Sequence, residues 1–145
     1  MAKAVNHSVA TLRILGDDLL PDEISLLLGS SPTESYKKGD ELLGRSTGTI
    51  RVVPTGRWSL SATRQEPEDL EVQIFELLDQ LSSDLSVWQS ISSRFKVDLF
   101  CGIFMGSRNE GLPLSSRALL ALGKRGISLG LDIYDALENK PDVGP

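Results

Sequence analysis

Six residues of this chain have types and positions suited to a binding site: Lys38, Asp40, Arg57, Trp58, Asp132 and Tyr134. Arginine offers a planar fork that fits carboxylate or phosphate, and tryptophan combines an apolar wall with one N–H donor. The surroundings of Arg57 strengthen the point. Between residues 37 and 64 lie six bases (Lys37, Lys38, Arg45, Arg51, Arg57, Arg64) against two acids, Asp40 and Glu41, while the rest of the chain holds 9 bases and 18 acids. Such polarity can bring an anionic ligand or an acidic partner to one face. The alternative is a solvated strand face on which Arg51 and Arg57 simply point outward. Asp132 and Tyr134, two apart on the outer side of a strand, line a groove, or pair with Arg57 across the sheet, or stand as an exposed edge pair. Arg57 and Trp58 alternate, so both reach one ligand only at a bulge or a sheet edge.

Other pattern matches fail on their chemistry. Gly39-Asp-Glu-Leu-Leu-Gly44-Arg45-Ser46 has the outline of a phosphate-binding loop, but Arg45 replaces the lysine, Asp40 and Glu41 would repel phosphate, and Thr49–Val53 has strand composition where a helix should start. Gly44-Arg-Ser46-Thr-Gly48 has the outline of a nucleophile elbow, yet the one histidine, His7, precedes the serine and no helix follows. Cys101 falls at an inward position of an apolar strand, which predicts a buried small hydrophobe and not a reactive thiolate. One Cys and one His assemble neither a disulfide nor a zinc set, so no metal or other cofactor is expected.

The elements that would position these residues follow from hydrophobic period. Ala10, Leu12 and Ile14 alternate towards Gly16 as a strand; Pro21 to Leu28, capped by Gly29, forms a short helix, and Thr33–Tyr36 a short strand. Thr49–Val53 and Arg57–Ala62 read as two arms of a hairpin joined by Pro54-Thr55-Gly56, with Trp58, Leu60 and Ala62 inward. From Pro67 to Arg94 a stripe of Leu70, Ile74, Leu77, Leu81, Leu85 and Trp88 predicts one long amphipathic helix across the sheet. Phe95–Met105 forms a long strand, with Phe100 and Phe104 on its second face predicting cover on both sides. Ser115 caps a helix through Lys124 with Leu119 and Leu122 inward, and Ile127–Tyr134 forms the last strand.

These elements define an α+β fold, a mixed or antiparallel sheet with helices mainly on one face. Leu20-Pro21 to Leu28-Gly29 is echoed by Leu112-Pro113 to Leu122-Gly123. True duplication of that strand-helix-strand unit would make the sheet ferredoxin-like. One domain over residues 9–135 is expected, with residues 1–8 and 136–145 frayed.

Leu12-Arg-Ile-Leu-Gly16, Pro21 to Leu28-Gly29, Pro32 with Lys38-Gly39-Asp40, Trp58-Ser-Leu60 and Leu129-Gly-Leu-Asp132-Ile-Tyr134 together resemble the bacterial domain of unknown function family 4279. The likeness runs from about Val9 to Tyr134, and in the family the tryptophan segment usually follows glycine directly, whereas Arg57 intervenes here. It implies a small α+β bacterial protein and transfers no catalytic or binding residue.

Three functions compete on these grounds. The first is a non-enzymatic binding or interaction module, for which toxin-neutralising immunity proteins are an analogy, with a protein partner. The second is a small enzyme or sensor of an anionic ligand in a basic groove beside the hairpin, and the third a structural homodimer. A net charge of −5 argues against nucleic acid, and no apolar run reaches the length of a membrane span. The lone cysteine and the absence of a signal peptide point to the cytoplasm.

Overall fold

A computed structural model of the chain describes residues 3–136. Its elements in order are β1 (Lys3–Ala4), β2 (His7–Gly16), α1 (Pro21–Leu28), β3 (Glu34–Tyr36), β4 (Glu41–Leu43), β5 (Ile50–Val52), β6 (Gly56–Ser61), α2 (Leu70–Leu78), α3 (Leu85–Arg94), β7 (Lys96–Phe104), β8 (Glu110–Gly111), α4 (Ser116–Lys124) and β9 (Ser128–Tyr134). The main sheet runs β3-β6-β2-β7-β9, antiparallel except for the parallel β7–β9 pair, and the fold is α+β as its sequence pattern requires. No helix among the described residues is long and apolar enough to cross a membrane.

Alternation along the strands decides which face is buried. Ala10, Leu12 and Ile14 of β2 stand opposite Cys101, Leu99 and Val97 of β7, and Leu12 and Ile14 stand opposite Leu60 and Trp58 of β6. All of these are buried in one cluster with Ile24 and Leu28 of α1, Leu70, Ile74 and Leu77 of α2, Trp88 and Ile91 of α3, and Ala118 and Leu122 of α4. Helices therefore cover one face of the sheet, and among the described residues the opposite face carries no helix.

Polar groups pin this layer. The Trp58 indole N–H donates to Ser25 Oγ at 3.0 Å. Gln73 on α2 is fully buried, yet satisfied: its Nε2 donates to the carbonyls of Ser8 and Thr63, and its Oε1 accepts from the Ser8 hydroxyl. Gly56 opens β6 where a Cβ would lie 2.6 Å from the Gly16 carbonyl oxygen, so only glycine permits that approach.

Several expectations change. The Pro67–Arg94 helix is two helices, because Asp69 and Asp84 each accept a backbone N–H at a helix start, and the connection holds Ser82, whose carbonyl takes the Trp88 indole N–H. Leu81 is nevertheless buried in that connection, whereas Leu85 is exposed. The hairpin pairs β4 with β5, not β5 with β6, because β3 and β2 already occupy both edges of β6. In α4 Leu119 faces out and Ala118 takes the inward place, one full turn before Leu122. Phe100 and Phe104 are only half-buried, so among the described residues β7 is covered by helices on one face alone.

Of residues 1–8, expected to be frayed, residues 3–8 supply β1, buried Val5 and the start of β2; residues 1–2 and 137–145 lie outside the described residues. The two strand-helix-strand units do share the sheet, but not as ferredoxin-like halves. β6 separates β2 from β3, while β9 lies directly against β7, so the units do not interleave.

Leu77→Ala should lower stability by about 2–5 kcal/mol, the usual cost of emptying a packed leucine site. Leu119→Ala should change it by less than about 0.5 kcal/mol. Chemical denaturation of the two variants checks the assignment of faces, and equal losses would contradict it.

Candidate functional site

The helix-free face is read off the strand register. One row across it runs Tyr36, Arg57, Leu15, Lys96; the next runs Glu34, Ser59, Arg13, Asp98, Ser128. In the second row Arg13 holds Asp98 through two bonds, Nε to Oδ1 at 2.8 Å and Nη2 to Oδ2 at 2.7 Å, and its guanidinium lies 4.7 Å from the centre of the Phe100 ring. That hydrogen bonding to Asp98 raises the Arg13 pKa, with burial opposing it. The charge of Arg13 is thus already satisfied.

The first row is different. The β4–β5 arm rises from the sheet beside it, fixed at its root by the Val53 N–H donating to the Asp40 carbonyl and the Gly39 N–H donating to the Val53 carbonyl. Between the β5 side of the arm and this row is a cavity of about 390 Å³ lined by Leu15, Tyr36, Arg51, Val52, Val53 and Arg57 among others. The size suits a small ligand.

Arg57 is the unusual member of this lining. Its Nε is shut away from solvent and has no hydrogen-bond partner. Two other buried polar atoms share that description, but Glu23 Oε1 lies 2.7 Å from the Arg94 guanidinium, and Arg125 still donates through Nη1 to the Ala121 carbonyl. Among the described residues Arg51 and Arg57 have no carboxylate partner. Nearby Asp17 is engaged elsewhere: the Thr55 hydroxyl first, then Lys38, hold its carboxyl below the usual range.

Of the six residues expected at the site, only Arg57 reaches the cavity. The Lys38 ammonium lies 3.2 Å from Asp17 Oδ2, and Asp40 Oδ2 accepts the Lys37 N–H at 2.8 Å within the turn, so both serve the approach to the arm. Trp58 is fully buried on the helix side, with no bulge to bring it round. Asp132 and Tyr134 stand at the far end of the sheet opposite Gly102 and Phe104, and the Tyr134 hydroxyl donates to Asp132 Oδ2 at 2.6 Å. They do not pair with Arg57. There the rings of His7, Phe104 and Tyr134 stack at centroid distances of 4.3 and 4.6 Å. Sequence reasoning missed Tyr36 and Leu15 because neither is conspicuous until cross-strand register places it beside Arg57.

The rejected motifs resolve as expected. Residues 39–46 form the turn into β4 and its exit, and Ser46 lies in the exposed turn closing the arm. His7 Nδ1 is bonded to Asn6 Oδ1, and burial first, then Arg64, lower its pKa.

The family model described as Domain of unknown function (DUF4279) matches residues 4–136, nearly the whole chain, and the chain belongs to that family. No curated protein and no solved structure matches the chain.

Cys101 is fully buried, and burial, with the Asp98 charge second, pushes its thiol pKa up to about 12. A thiol reagent at pH 8 should leave it unmodified in the folded protein and label it promptly after denaturation. Rapid labelling of the folded state would contradict its place in the core.

Proposed function

We propose that the chain is a non-enzymatic binding module and that its ligand is a small anionic molecule held under the β4–β5 arm. The observation that carries this reading is the Arg57 guanidinium, without any acceptor among the described residues, on the lining of a cavity that also presents Arg51. An anion seated in the cavity would give that guanidinium the acceptor it lacks. Binding is favoured over turnover because the charged groups of the lining are arginines, which keep their protons in proteins and are not nucleophiles. A bacterial, cytosolic setting belongs to the same proposal, on the lone reduced cysteine and the family resemblance.

A thermal-shift series with acetate, benzoate, citrate and phosphate at fixed ionic strength tests it. At about ten times its Kd, a bound anion should raise the Tm of the unaltered protein by roughly 3–6 °C. Arg57→Ala should keep a cooperative transition and lose the shift. Equal shifts in both proteins, or none in either, would remove the site.

A further inference from the structure

We infer that the cavity under the β4–β5 arm selects a monocarboxylate with a compact hydrocarbon body, in preference to a phosphate. The inference rests on the anion-binding reading above and names the ligand class. The free donors are those of a planar fork. A guanidinium edge meets two oxygens of one carboxylate in two parallel bonds, with Arg51 and Tyr36 within the same lining.

A phosphate asks for more than this. It presents three or four oxygens, and protein sites usually meet them with several backbone N–H groups at a helix start or a nest. Here no helix begins at the cavity, and the N–H of Val53 is already given to the Asp40 carbonyl. Asp17, bonded to the lining residue Thr55, adds a negative charge close by, which opposes a dianion more than a monoanion.

The remaining wall is hydrocarbon. Leu15, Val52, Val53 and Pro54 form it, and Val52 is 57% exposed. An aliphatic or aryl body on the carboxylate would cover that surface and draw affinity from it. The same chemistry is carried by a free small acid and by the last residue of an apolar peptide, so both sources enter the test.

Isothermal titration with acetate, butanoate, hexanoate, benzoate, inorganic phosphate and an acetylated dipeptide ending in leucine reads the class directly. Affinity should rise about fourfold for each methylene added from acetate until the cavity is full. Val52→Ser, at an exposed position that folding tolerates, should flatten that rise, and Arg57→Lys should weaken every acid by removing the fork. Tighter binding of the dipeptide than of benzoate, lost on amidation, would assign the carboxylate to a peptide end and support the inference. Phosphate binding more tightly than hexanoate, in an Arg57-dependent way, would overturn the class and leave the anion site standing. No Arg57-dependent binding by any probe would overturn both.

Discussion

Strand β2 sets the geometry of this protein, because it is paired on both edges and its side chains must be divided between two unlike faces. Register with β6 and β7 sends Ala10, Leu12 and Ile14 to the helices and Thr11, Arg13 and Leu15 to the open side. A slip of one residue would exchange the two sets and bury Arg13 among Trp58 and Leu99. The Gln73 bonds to Ser8 lock the register from the helix side, and the Arg13–Asp98 pair locks it from the other.

From that division the candidate site follows. Leu15 is the last outward residue of β2, so it becomes the floor of the cavity. Gly56, which has no Cβ to strike the Gly16 carbonyl, lets β6 begin close against the end of β2, which brings Arg57 beside Leu15. Arg13, one row further in, has Asp98 as its partner across β7, whereas Arg57 faces Leu15 on one side and Tyr36 on the other. Two arginines on the same open face thus meet different fates because of what stands opposite them.

The sequence was most readable where a period ran long. The stripes of β2, β7 and α1, the Ser115 cap and the inward Trp58 and Leu60 all follow from spacing, and so does the stripe of α2. The break between α2 and α3 was hidden because Leu77, Leu81 and Trp88 keep helical spacing across it. Only the side-chain cap of Asp84 and the surrounding serines reveal that a new helix starts there. Glu41-Leu42-Leu43 has no alternation long enough to announce a strand, so the partner of β5 was out of reach. Arg57 was legible as a charge in a basic stretch, but Tyr36 and Leu15 become its neighbours only through long-range pairing. Asp132 and Tyr134 looked like partners for it because distance across a sheet cannot be read from residue types.

The central claim is that the open side of the sheet holds an acid against the guanidinium of Arg57. Two-dimensional NMR of the 15N-labelled protein, titrated with benzoate and observing the arginine Nε–H as well as the backbone amides, tests it most directly. The account predicts one arginine Nε–H resonance that moves on titration and disappears in Arg57→Lys. Backbone changes should be confined to Leu15, Tyr36 and the stretch from Arg51 to Arg57. Changes centred on the His7, Phe104 and Tyr134 stack, with the Arg57 resonance unmoved, would contradict it.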